Sequence, residues 1–278
     1  MRIDAHQHYW KLERGDYDWL TPDMKILYRD YEPCDLAAVL REQKIDKTIV
    51  VQAAATTAET EYLLTLADEN DSIAAVVGWV DLTDAGCMGL LDQFREHPKF
   101  AGFRMMIQDM PDATVVLEPI YMKALQQVEA LQLPVDLLVK SDQLDVLISL
   151  MKHVPQLHGV IDHIAKPRIA DGIWEPWATQ MKELAQYPNL YCKLSGMVTE
   201  ADHTGWQQED FNAYIQTIIA YFGWDRIMYG SDWPVCLLAA DYSEVMKLLI
   251  AALPEDVTGE QREKLFGNNA LQFYRLNI

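Results

Sequence analysis

The sequence predicts an α/β protein: a closed (β/α)8 TIM barrel forming one domain over residues 1–278, with an extra C-terminal helix. Three observations predict it. Eight short apolar runs rich in β-branched residues recur along the chain, each followed by a stretch of helical periodicity. From Ile3 in the first run to Met228 in the last, 225 residues divide into seven intervals of about 32, the size of one βα unit. Neither G-x-G-x-x-G nor G-x-x-x-x-G-K-[ST] occurs, which argues against an open doubly wound sheet with a phosphate-binding first turn.

The strands are expected at residues 2–5, 48–52, 75–80, 102–105, 134–139, 159–164, 190–194 and 227–231. Among the helices, one starts from a capping Asp35, and others cover 118–131 and 141–154. Thr258 and Gln261 have the spacing of a capping box and open a last helix through Tyr274. No Ser/Gly/Pro linker, low-complexity tract or internal repeat divides the chain.

Composition narrows the partners. With 23 basic against 42 acidic residues, the net charge of −19 repels phosphate backbones and anionic lipid, so nucleic acid and membrane surfaces are excluded. A small molecule remains the expected partner. Cys34, Cys87, Cys192 and Cys236 are scattered without a CxxC, as in a protein with reduced thiols, and the expected location is the cytoplasm. The first residues have no charged and apolar signal pattern, and no apolar run approaches ~18 residues.

In a barrel of this kind the reacting groups lie at the carboxyl ends of the strands. His6 and His8 end the first strand, and a period of two places both imidazoles on one side, taken as the interior. His163 ends the sixth strand and Asp232 the eighth. Three imidazoles and a carboxylate meeting at the mouth form a set able to bind one divalent ion such as zinc, or to activate water without metal. Arg104, closing the fourth strand in Gly102-Phe103-Arg104, is the expected substrate anchor, because a fixed guanidinium grips carboxylate, carbonyl or hydroxyl oxygens. Lys166 and Trp233 are further candidates for substrate binding. Lys193 and Ser195 also sit at strand ends, and Lys193 is expected to neutralise Asp232 or a neighbouring acid. Trp10 and Trp79 are placed near the mouth. His97, His153, His158 and His203 fall in helix ends or loops and are assigned no chemistry.

Five blocks in order carry a resemblance: Ile3-Asp4-Ala5-His6-Gln7-His8, Gly102-Phe103-Arg104, Ile161-Asp162-His163, Lys193-Leu194-Ser195-Gly196 and Gly230-Ser231-Asp232-Trp233-Pro234. With the closing segment 266–274, they make the chain similar, nearly end to end, to the amidohydrolase superfamily. It most resembles the sugar-lactone branch, the L-fuconolactonase and L-rhamnonolactonase-like hydrolases related to 2-pyrone-4,6-dicarboxylate lactonase. The resemblance implies that His6, His8, His163 and Asp232 form the active site. It implies hydrolysis of a sugar-acid lactone with Asp232 as general base, assisted by one metal ion or by none, and it leaves a homodimer open. Two departures stand out. No histidine ends the fifth strand, where Asp136-Leu137-Leu138-Val139 stands, unlike the wider superfamily, and no bridging lysine or glutamate is evident at the fourth, so a binuclear centre is not expected. Met105 follows Arg104 where many lactonases of this branch carry histidine. The rival readings are a metal-dependent decarboxylase of the same superfamily and a non-catalytic barrel that binds sugar acids or metal.

Overall fold

The computed structural model describes residues 1–278. Eight parallel strands form one sheet in sequence order. They are β1 (Ile3–Gln7), β2 (Lys47–Val51), β3 (Ile73–Gly78), β4 (Phe100–Met106), β5 (Val135–Leu138), β6 (Gly159–Ile161), β7 (Leu190–Leu194) and β8 (Ile227–Tyr229). The helices between them are α1 (Pro33–Gln43), α2 (Thr57–Glu69), α3 (Cys87–Arg95), α4 (Pro119–Leu131), α5 (Leu144–His153), α6 (Trp177–Leu184) and α7 (Glu209–Phe222). After β8 come α8 (Tyr242–Ala252), α9 (Gly259–Glu263) and α10 (Asn269–Phe273). Helices outside and side chains inside cover both faces of the strands, which explains why β3 reads Ile-Ala-Ala-Val-Val-Gly and is buried throughout. No helix is long and apolar enough to cross a membrane.

The predicted barrel is present, with shifts at element ends that have physical causes. Helix α1 begins at Pro33, with Glu32 as its cap and Asp35 returning to accept from the Glu32 N–H at 2.8 Å, so Asp35 is the fourth and last residue of a capping box rather than its first. Strand β6 stops at Ile161 because His163, Ile164, Ala165 and Lys166 all take left-handed backbone conformations. The expected last helix starts at the Thr258–Gln261 capping box, as read, but a π-turn over Lys264–Asn268 separates α9 from α10. That turn lays Gly267 directly against the Met1 carbonyl, where a side chain would collide.

Two apolar clusters hold the molecule together. The larger lies between the strands and the outer helices. The smaller joins Ile3, Ala5, Ile49, Val51, Val77, Val160 and Met228 to Ala270, Phe273 and Tyr274, so the C-terminal segment packs against residues from the strands.

Candidate active site

The site is assembled by the bonds that close the barrel. Asp232 N–H donates to the His6 carbonyl at 2.8 Å, and His8 N–H donates to the Trp233 carbonyl at 2.7 Å. Beneath them the buried Asp4 carboxylate accepts from the N–H groups of His6 (3.1 Å) and Ser231 (2.9 Å) and from the hydroxyls of Ser231 (2.6 Å) and Tyr242 (2.9 Å). The β1–β2 register shifts between Asp4 and Gln7, and this irregularity lets Asp4 reach Tyr242 of α8 while His6 points toward the site. The first and last strands thus fix the backbone of His6, His8 and Asp232 together.

Strain aims two of the groups. His163 (φ 53°) and Asp232 (φ 58°) are both left-handed, and so is β-branched Ile164 (φ 49°). For L-residues this costs roughly 1–2 kcal/mol each, and such strain collects at functional sites. Glycines give the rings room. A methyl group on Gly230 would lie 2.6 Å from His6 Cβ, and one on left-handed Gly196 would overlap the His163 ring. Gly230→Ala is therefore expected to displace His6 and lower kcat by about 100-fold, as ~1 Å misplacements do, while KM changes less. Steady-state kinetics checks this, and an unchanged kcat would refute the packing argument.

The gathered groups are close. His6 Nε2 lies 3.2 Å from His8 Nε2 and 3.9 Å from Asp232 Oδ1. Asp232 Oδ1 is 3.4 Å from His8 Nε2 and 3.8 Å from His163 Nε2. Each outer ring nitrogen has its own partner: His8 Nδ1 meets the Val51 carbonyl at 2.7 Å, His163 Nδ1 the Ser195 hydroxyl at 2.9 Å, and His6 Nδ1 the Lys193 ammonium at 3.1 Å. Because a carbonyl only accepts, His8 carries its proton on Nδ1 and turns a lone pair toward Asp232.

Burial, reinforced for His6 by Lys193 and His8, pushes the His6 imidazole well below the ordinary histidine range. Burial likewise lowers His8 and takes His163 well below that range, so all three rings are neutral near pH 7. Burial pushes the Asp232 carboxyl up, but the neighbouring His163, His8 and Lys166 outweigh it and hold the group below its ordinary value. An ionised carboxylate facing neutral imidazoles in a water-poor site has the character of a general base.

A cavity of about 300 Å³ opens above this cluster and is lined by His8, Arg104, His163, Lys166 and Asp232 among others. Arg104 donates to the side-chain oxygen of Gln52 at 3.1 Å and to the Gln52 backbone carbonyl, while its Nε is buried without a partner. Lys166 pairs with Glu200 across the rim at 3.4 Å.

The residues also suit a metal ion. Two ligands about 2.0–2.1 Å from a tetrahedral zinc lie roughly 3.3 Å apart, and the donor atoms of His6, His8 and Asp232 stand 3.2, 3.4 and 3.9 Å from one another. Asp162 supplies the outer contact such a centre uses. Its buried carboxylate accepts no well-aligned hydrogen bond, and Oδ1 lies 3.1 Å from the Lys193 ammonium and 3.3 Å from His6 Nδ1.

Of the residues singled out in the sequence, His6, His8, His163 and Asp232 meet, and Arg104 and Lys166 line the cavity above them. Trp233 does not join them. Its ring packs edge-on against Tyr9 and Tyr31, because the barrel-closing bond at its carbonyl turns the side chain into the core. Lys193 neutralises Asp136 and Asp162 rather than Asp232. Trp10 is fully buried among Tyr17, Trp19 and Tyr31, and Trp19 is the tryptophan that borders the cavity. Met105 is buried in the outer core, and Met106 reaches the cavity instead. His203, set aside in the sequence, borders the cavity as well.

Glu59, in α2, supports the cavity wall. It accepts from Tyr17 Oη at 2.7 Å and from the N–H of Ala53, whose carbonyl receives Trp19 Nε1. Burial lifts its carboxyl from 4.5 to about 7. The folded protein then holds this proton over a range where the unfolded chain has released it, so Glu59's contribution to stability falls as pH rises from about 4.5 through 7. The melting-temperature difference between wild type and Glu59→Gln should shift in favour of the variant across that range. A pH-independent difference would show that the group is not buried as described.

A strand-closed barrel whose mouth holds neutral imidazoles, an ionised carboxylate and a guanidinium defines a water-activating (β/α)8-barrel enzyme. More specifically, the chain belongs to the amidohydrolase family, whose model matches residues 3–276. It is 38% identical to an L-fucono-1,5-lactonase of Burkholderia ambifaria over 99% of this chain and 96% of that protein. It is 37% identical to an L-fucono-1,5-lactonase of Burkholderia multivorans, again over 99% and 96%. A crystal structure of an amidohydrolase from Burkholderia multivorans with bound zinc superposes with a TM-score of 0.93 at 36% identity, covering 99% of both chains.

Proposed function

We propose that this protein hydrolyses a sugar-acid lactone of the L-fucono-1,5-lactone type. The observation that carries the reading is the ionised Asp232 carboxylate set among three neutral imidazoles under a cavity of about 300 Å³. That volume is at the small end of ligand sites and suits a single sugar ring. The full-length likeness to two L-fucono-1,5-lactonases supports this substrate class.

Asp232 takes a proton from water as the water oxygen attacks the ester carbonyl. The resulting oxyanion needs donors aimed at it, and the Arg104 guanidinium and the imidazole cluster are placed to provide them. The ring C–O bond then breaks, and the departing oxygen recovers the proton from Asp232 to become a hydroxyl. Lys166 offers a cation at the rim for substrate hydroxyls. His6, His8 and Asp232, with His163 alongside, would hold one divalent ion such as zinc, which when bound supplies Lewis-acid polarisation of the carbonyl. A lactone suits this apparatus because its ester needs no protonated amine leaving group.

The test is to offer purified protein L-fucono-1,5-lactone and follow acid release with a pH indicator and the open-chain acid by carbon-13 NMR. Catalysed ring opening supports the reading. Release of carbon dioxide from aromatic acids, or binding of sugar acids without any lactone turnover, would replace it with one of its rivals.

A further inference from the structure

Inside the barrel, on the far side of His6 from the cavity, lies a set of charges that the proposed reaction does not use. Lys193 is fully buried and ion-paired with Asp136 and Asp162, which are fully buried too. Asp136 is braced from the C-terminal segment by the Tyr274 hydroxyl at 2.7 Å. Buried ion pairs are often no better for stability than well-packed apolar side chains, so their placement against a site residue calls for another role.

The contacts of His6 supply that role. Lys193 Nζ, which only donates, is 3.1 Å from His6 Nδ1, and the His8 Nε2 lone pair is 3.2 Å from His6 Nε2. Both contacts want the proton of His6 on Nε2. Asp162 Oδ1 lies 3.3 Å from Nδ1 without hydrogen-bond alignment, and Arg104 Nη1 is 3.5 Å from Nε2. Both of these want it on Nδ1. The shorter pair of contacts agrees on one tautomer and the longer pair on the other.

We propose that Lys193, braced by Asp136 and Tyr274, is a positioning residue that holds the proton of His6 on Nε2, and that Asp162 is the competing partner that draws it to Nδ1. In the first arrangement His6 presents an N–H donor toward the reacting centre. In the second it presents a lone pair, the form a metal ligand requires. The balance between Lys193 and Asp162 therefore sets both the donor strength of the site and its affinity for a divalent ion.

The test uses metal-free, full-length protein labelled with nitrogen-15 at histidine, with His6 assigned by comparison with His6→Gln. Wild type should show His6 Nδ1 unprotonated and Nε2 protonated. Lys193→Met alone strands two buried carboxylates, so it is paired with Asp136→Asn, which removes one charge of each sign. In this double variant the proton should move to Nδ1, whereas Asp162→Asn should leave the wild-type tautomer in place. Zinc titration of the same proteins should show affinity raised about 10- to 100-fold in the double variant and lowered by a similar factor in Asp162→Asn, the usual range for outer-contact residues. A wild-type spectrum with Nδ1 protonated overturns the proposal without any variant. An unchanged His6 tautomer in the folded double variant overturns it equally. No lactone enters these measurements, so failure of the substrate assignment would leave their outcome intact.

Discussion

Asp232→Asn should lower kcat for lactone opening by about 10²- to 10⁴-fold, the range expected when a general base is removed, with KM changed by only a few-fold. The substitution is nearly isosteric. The left-handed backbone at position 232 is one that asparagine adopts more readily than most residues, and the N–H bond to the His6 carbonyl is untouched. What disappears is the charge. The amide has no site of useful basicity, and His8 Nε2, 3.4 Å away, loses its anionic neighbour. Two measurements separate this from a folding defect: the melting temperature, expected within a few degrees of wild type, and binding of the sugar-acid product, expected to persist. Turnover equal to wild type would remove Asp232 from the role of base and direct attention to water activated by other groups.

The parts of this site that can be read from the chain are those that obey a period or a motif. His6 and His8 are two residues apart at a strand end, so alternation alone places their rings together, and the 3.2 Å contact agrees. The βα spacing likewise places Asp232 and His163 at the same mouth. Asp162 is different. A lone aspartate beside a histidine carries no periodic signal, and its place behind His6 depends on the left-handed turn that ends β6 early. Lys193 illustrates the same limit: a lysine within a barrel strand demands an acid, but only the packing selects Asp136 and Asp162 over Asp232. Trp19 and His203 reach the cavity from irregular segments after β1 and β7, where no repeat governs direction. Trp233 adjoins the catalytic candidate in sequence, yet barrel closure turns it away.

Asp4→Ala should produce the largest loss of stability among the polar positions near the site. Its carboxylate gathers donors from His6, Ser231 and Tyr242 at the seam where the barrel closes, and it is fully buried. Alanine leaves those donors without an acceptor where water is scarce, at about 1–3 kcal/mol for each group that finds no substitute. Partial relaxation brings the expected total to about 3–6 kcal/mol, a large share of the ~5–15 kcal/mol that typically separates folded from unfolded domains. For a chain of this size that corresponds to a fall of roughly 10 °C or more in melting temperature. Tyr242→Phe removes a single donor from the same carboxylate and should cost only about 1 kcal/mol. Because the seam also fixes the backbone of His6 and Asp232, the folded fraction of Asp4→Ala should turn over lactone more slowly than wild type, whereas Tyr242→Phe should retain most of its rate. Thermal unfolding and kinetics on the two variants test both halves, and an Asp4→Ala protein that melts within 2 °C of wild type, by the ~2–4 °C per kcal/mol scale, would mean that the barrel closes without this carboxylate.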